Sequence, residues 1–223
     1  MNPDVLLRYT PSLVSGFGVT VMCWSAGGAF GLLLGFFVAL LYRLPFAPLR
    51  WLLRALIEVF RGTPFLVQLF LLYAGGPYVG LKLSATAAGV VGLGLYSSAY
   101  FAEIFRGGFA AVPIGQIEAA MSVGMSPRDT LLRVTLPGAL IAAVPPIVNM
   151  LIVLSKETVV LSIITVPELM YQMQTMAAET FTAFDAIFAM AVFYWLLVEA
   201  TSRLGRRVEV RVTTFMAQEA SPA

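Results

Sequence analysis

The chain has 223 residues, of which 59% are apolar and only 12% charged, and its mean hydropathy is +0.87. A soluble domain of this size has no use for so much apolar surface, so the composition places most of the chain in lipid. One cysteine, Cys23, excludes an intrachain disulfide, and the absence of histidine removes the commonest catalytic base and metal ligand.

Four uncharged runs, 9–42, 62–81, 83–102 and 134–155, are each about 20 residues or longer and can span a bilayer. A fifth apolar stretch, Ala186 to Val198, becomes a span if Asp185 and Glu199 sit near the two interfaces. Five transmembrane helices are expected in an all-α membrane protein. Arg43, Arg50, Arg54 and Arg61 follow the first span, Arg106, Arg128 and Arg133 the third, and Arg203, Arg206, Arg207 and Arg211 the fifth. Only Arg8, Lys82 and Lys156 remain for the other side. The positive-inside rule then puts the N-terminus in the periplasm and the C-terminus in the cytoplasm of a multi-pass inner-membrane protein. Met1 to Arg8 lack the basic start and short apolar core of a cleaved signal peptide.

In chain order, the opening helix, about Leu13 to Leu41, carries Gly27, Gly31 and Gly35 on one face, a close-approach surface expected to pack within this subunit. Pro45 and Pro48 then break the chain, and Leu44 to Val59 turns amphipathic, a helix for the cytoplasmic interface with snorkelling arginines. Arg61-Gly62-Thr63-Pro64 opens the second span, and Gly75-Gly76-Pro77 forms an external turn. The third span runs from about Ala85 to Phe105. The fourth starts at Leu136-Pro137 and is expected to kink or partly unwind at Pro145-Pro146. A stretch too polar to span follows, in which Met170, Met173 and Met176 pack a short external helix rather than bind copper. A basic cytoplasmic tail, about 203–223, completes one transmembrane domain over 1–223, without linker or repeat.

The loop after the third span, about 107–135, carries the mechanism. It reads Glu118-Ala119-Ala120, three residues, Gly124, nine residues, Val134, one residue, Leu136-Pro137. Gln116 to Val123 suits a two-turn helix ended by a left-handed Gly124. Ile117, Ala120 and Met121 fall on one face, the alanines keep the profile thin enough for a partner's groove, and Glu118 suits the helix's positive end. Ser126 can cap the next helix, with Pro127 at its first position. Two helices joined at a glycine elbow make a stiff lever.

That spacing resembles the coupling loop of the permeases of ATP-binding cassette (ABC) importers, and other segments narrow the resemblance to the polar amino acid group, which handles histidine, glutamate, glutamine, arginine and opines. Arg61-Gly62-Thr63-Pro64 with Gln68 is similar to that group's R-G-T-P-x-x-x-Q, and Ala99 to Gly108 to its A-Y-x-x-E-x-x-R-G-G. Val112 to Ala120 resembles V-P-x-G-Q-x-E-A-A, and Lys156-Glu157-Thr158 the Lys-acid-Thr step after the fourth span. The chain departs in having Val134 for isoleucine and Val159-Val160 for Ser-Leu. The resemblance implies the type I importer permease (MetI-like) architecture and assembly with a second permease, identical or paralogous. It further implies two cytoplasmic ABC ATPase subunits and a periplasmic binding protein that delivers a polar amino acid, taken up by alternating access. Glu118, Ala119, Ala120, Gly124, Leu136 and Pro137 would couple to the ATPase. No G-x-x-x-x-G-K-[ST] loop occurs, so this chain is expected to be no enzyme and to bind no cofactor, with ATP and Mg on the partner and no role for nucleic acid.

Charges near the membrane interior point to function. Glu157 and Thr158 follow the double proline and are candidates to contact the substrate's amino group or a basic side chain; Lys156 points to another face. Gln68 and Tyr100 are candidates to line the same pathway, or to bond across packed helices. Glu103 and Arg106, three apart, form either a gate or a local ion pair. A secondary transporter would show matching broken helices in two halves, and an intramembrane enzyme clustered carboxylates or histidine; neither pattern is present.

Overall fold

The computed structural model describes residues 3–219, and every regular element in that range is helical. Helix α1 (Pro3–Tyr42) is 40 residues long, about 60 Å at the usual rise and so longer than a bilayer is thick. Its glycine face packs on α4 (Ala85–Ala111), within the same subunit as expected. A Cβ on Gly31 would lie 2.0 Å from the Ser97 hydroxyl oxygen, and one on Gly35 2.6 Å from the Phe101 Cβ. The seam therefore requires glycine for backbone-to-backbone approach. On its other sides α4 takes Leu69 against Gly92 and Leu161 against Gly89, which makes it the central post of the molecule.

Helix α2 (Ala47–Gly62) is amphipathic as expected, with Leu53 and Ile57 buried and Trp51 70% exposed. It meets α3 (Phe65–Tyr73) at a bend of 105°. The second span, expected to open at Arg61-Gly62-Thr63-Pro64 and run to about Tyr73, ends at that residue but is short. Pro64 holds Thr63 in an extended conformation, α3 has only 9 residues, and a short 3-10 turn, Gly76–Val79, follows. About 14 Å of helix is half a crossing. Four helices are thus long and apolar enough to span, and the bent α2–α3 pair supplies the fifth crossing if taken as one span.

Helix α4 continues six residues beyond the expected Phe105, because Gly108 lies where a Cβ would come within 2.5 Å of the Ala139 carbonyl oxygen. That glycine serves a helix contact and breaks nothing; Pro113, with extended Val112 before it, ends the helix. After α5 (Ile114–Ser122) and α6 (Pro127–Thr130), one helical rod runs through a π-turn, Leu131–Thr135, into α7 (Leu136–Glu157). The fourth span therefore does not begin afresh at Leu136-Pro137. The Leu136 amide reaches back five residues to the Leu131 carbonyl, and this wider turn accommodates the Pro137 ring without interrupting the rod. Nor does α7 unwind at Pro145-Pro146, which deprive only the carbonyls of Ile141 and Ala142 while the flanking helical bonds persist. Unwinding comes later, where Thr158–Ile164 tightens to a 3-10 helix ended by left-handed Thr165.

Helix α8 (Leu169–Thr180) is the short helix expected, with Met173 and Met176 buried against Leu13, Leu169 and Ala186. Helix α9 (Ala183–Glu219) has 37 residues and carries the basic tail onward as helix, the tail's residues 220–223 lying outside the described range. Asp185 is buried at its start, and Glu199 pairs with Arg203 at 2.6 Å.

Candidate functional site

The loop after α4 has the anticipated elbow. The α5 C-terminus closes with the Gly124 amide on the Met121 carbonyl at 3.0 Å and the Met125 amide on the Ala120 carbonyl at 3.1 Å. This is a Schellman closure, and it needs Gly124 at φ +88°. Ser126 Oγ then accepts from the Asp129 amide at 3.1 Å, capping α6 behind Pro127. The six expected coupling residues divide between two faces. Ala120 is buried, and Leu136, half-buried, joins Ile117 in a cluster with Phe109, Val112 and Ala139. They mount α5 on the body. Glu118, Ala119, Gly124 and Pro137 are exposed, flanked by Ile114, Met121 and Val123, the last 79% exposed. A rigid, capped helix thus presents a small-residue face with apolar edges.

The expected pathway residues are only partly brought together. Gln68 donates to the Phe60 carbonyl at 2.7 Å and the Thr63 carbonyl at 3.0 Å, so its amide ties α3 to the end of α2 across the Pro64 break. Thr158 is fully buried, donating to the Ser155 carbonyl at 2.7 Å and sharing a 3.0 Å bond with the Tyr194 hydroxyl. Both act as structural ties, while the Gln68 amide oxygen has no hydrogen-bond partner among the described residues. Lys156 lies beside Val159, Tyr194 and Trp195 on the α9 side. Glu157 points elsewhere, half-buried and within electrostatic range of Tyr96. Tyr96 stacks on Tyr100 with ring centroids 5.1 Å apart, and the Arg61 guanidinium covers the Tyr100 ring at 5.4 Å. Glu103 then grips Arg106 at 2.6 Å. Tyr96, Tyr100 and Glu103 fall at helical spacing, so one stripe of α4 leads from Glu157 toward the end of the molecule that carries α5. Tyr96 and Arg61 were missed as site residues, although Tyr96 sits four residues before Tyr100 and so on the same face.

Residues 31–214 match the model of the family described as binding-protein-dependent transport system inner membrane component. The chain belongs to that family. A probable amino-acid ABC transporter permease of Bacillus subtilis (strain 168), YckA, is 35% identical over 88% of this chain and 87% of its own length. A probable glutamine ABC transporter permease from the same organism, GlnM, is 34% identical over 88% of this chain and 91% of its own. The crystal structure of an amino acid ABC transporter with histidines superposes with a TM-score of 0.89 at 34% identity, covering 95% of this chain and 99% of the other.

The permease contains one polar site that no local pattern announced. Glu168, 0% exposed, caps α8 by accepting from the amides of Met170 and Tyr171, both at 2.9 Å. Thr20 of α1 donates to its carboxylate at 3.3 Å while accepting from the Leu169 amide at 3.0 Å. At the far end of α8 the Tyr9 hydroxyl bonds Glu179. Helix α8 is therefore strapped to α1 at both ends. Burial pushes the Glu168 carboxyl up to about 7, only partly offset by the amide and Thr20 hydrogen bonds that favour its charged form. Thr20 and Glu168 are 148 residues apart, so only the folded chain pairs them.

Proposed function

We propose that this chain is the membrane permease of an ABC importer for a polar amino acid, with the α5 end in the cytoplasm and the α8 side in the periplasm. The arginine distribution supports that orientation, since Arg43, Arg54, Arg61, Arg106, Arg128 and Arg133 all lie toward the α5 end. The observation that carries the reading is the exposed face of α5, held at one angle by the Gly124 closure at its end and by the packing of Ile117 on Phe109, Val112 and Ala139. A helix mounted in this way transmits force; a flexible loop would absorb it. Two partner ATPases, carrying ATP and Mg, would each seat one such helix, from this permease and from a second identical or paralogous permease. A binding protein would deliver cargo on the α8 side. The cargo is read as a polar amino acid from the names of the relatives. Within the chain it would pass along the α4 stripe, with Glu157 meeting its ammonium group and the Tyr96 and Tyr100 hydroxyls its polar edges. No bond in the cargo is made or broken.

The test is purification in mild detergent followed by reconstitution with the binding protein. A P-loop ATPase recovered with the chain, and uptake of one or more amino acids that stops without ATP, is the expected result. Recovery of the chain alone, with ATP-independent transport, would refute the reading.

A further inference from the structure

The α4 stripe ends in a polar pocket of about 260 Å³ between α1, α2 and α4, lined by Tyr42, Arg54, Glu58, Arg61, Glu103 and Arg106. Two of its three arginines are already satisfied. Arg54 Nε lies 2.9 Å from Glu58, and Arg106 grips Glu103 through Nε at 3.0 Å and Nη2 at 2.6 Å. Arg61 forms no carboxylate ion pair among the described residues; its guanidinium rests on the Tyr100 ring. A guanidinium presents five donors in a fork that matches a carboxylate edge-on. The pocket therefore combines one unanswered cation with two carboxylates a short distance away, a net charge of one positive.

We propose that this pocket is a cytoplasmic rebinding site for α-amino acids, with Arg61 taking the α-carboxylate and Glu58 and Glu103 sharing the α-ammonium. The charge pattern selects this ligand. A phosphate satisfies Arg61 but offers the two carboxylates no donor, and a simple amine has nothing for Arg61. Only a zwitterion with its two charges adjacent answers both sides. The contacts are all to the backbone of the ligand, so the site reads amino acids as a class. An occupied pocket bridges α2 to α4, the helix that leads into the coupling loop, so imported cargo that accumulates slows the complex that imported it. This inference rests on the orientation and cargo class proposed above.

The experiment uses inside-out membrane vesicles holding the whole complex, with ATP hydrolysis measured while L-arginine or L-glutamine is titrated on the exposed cytoplasmic face. Both amino acids are expected to slow hydrolysis, and the decarboxylated counterpart of arginine, agmatine, to have no effect at concentrations about tenfold higher. Arg61→Gln is expected to raise the half-inhibitory concentration about tenfold, the factor for about 1.4 kcal/mol, relative to that variant's own uninhibited rate. Glu58→Gln provides a second variant should Arg61→Gln not assemble, and the comparison of amino acid with amine in the unaltered protein requires no variant. Equal inhibition by agmatine, unchanged inhibition in the variants, or no response to either amino acid would overturn the proposal. So would a rate that follows only the phosphatidylethanolamine content of the vesicles, which would make the occupant a lipid headgroup. A complex that hydrolyses ATP yet ignores cytoplasmic amino acids leaves the importer reading standing and removes this one alone.

Discussion

Replacing Glu168 with glutamine isolates the energetics of the strap between α1 and α8. In the folded protein the carboxyl titrates at about 7 because it is buried, whereas in an unfolded chain it titrates near the ordinary value of about 4.3–4.5. An acid whose pKa is raised by folding is bound to its proton more firmly in the folded state. Its ionisation therefore costs stability as pH climbs from the unfolded value toward 7, and the cost levels off above that. Integrating proton binding over this window gives a loss of about 2.5 kcal/mol between pH 5 and pH 8. For a chain of this length that corresponds to roughly 5–10 °C in Tm. Glu168→Gln retains a carbonyl to accept from one of the amides of Met170 and Tyr171 but has no proton to lose. The assay is tryptophan-detected melting of the purified complex in detergent at half-unit pH steps. The unaltered protein is expected to melt progressively lower from pH 5 to 8, and the variant to show a slope flatter by the amount above. Parallel slopes would mean that Glu168 is solvated or paired in a way the structure does not contain, and the strap would lose its energetic meaning.

Other substitutions test other parts of the molecule. Gly31→Val places methyl groups into the Ser97 hydroxyl; an overpacking cost of about 1–3 kcal/mol or more should cut the yield of assembled complex, and a normal yield would disprove the α1–α4 seam. Gly124→Asp has room for its side chain but must hold φ +88°, about 1–2 kcal/mol of strain, and should leave ATPase activity in partner subunits while lowering uptake per ATP. Unimpaired uptake with normal recovery would remove the elbow from the mechanism. Thr158→Val removes one of the two hydroxyl partners of Tyr194, leaving Thr20, about 1 kcal/mol, and should lower Tm slightly without altering which amino acids are taken up. Glu157→Gln should instead weaken uptake affinity for at least one amino acid and leave Tm nearly unchanged, and identical uptake for a full panel of amino acids would exclude Glu157 from the pathway.

Features encoded by neighbouring residues were readable in advance. The glycine stripe of α1 needs only three residues at helical spacing, and the α5 elbow only a helix former, Gly124, Ser126 and Pro127 in sequence. What escaped reading depended on partners far along the chain or on how two local signals compete. Thr158 looked available because it follows a charge, yet Tyr194, 36 residues later, claims its hydroxyl. The third span is expected to reach only about Phe105, yet α4 runs on past Gly108, where it meets the Ala139 backbone. Pro137 resembled a helix start, and a π-turn carried it inside a longer helix. Apolar length alone also overstated the second span, because hydropathy does not register that Pro64 turns the chain through a right angle.

The unbroken run from Pro127 to Ile164 behaves as a see-saw. One of its bearings on the rest of the molecule is at Ala139, where Gly108 lets α4 touch its backbone. From that point the arm to Pro127 is about 18 Å and the arm to Glu157 about 27 Å at the helical rise. The arms are unequal, and the longer one ends at Glu157, the residue proposed to meet the cargo. Any tilt about that bearing is returned at Glu157 magnified by about one and a half and opposite in direction, so a nudge at the elbow of one ångström becomes a step comparable to a hydrogen bond made or lost.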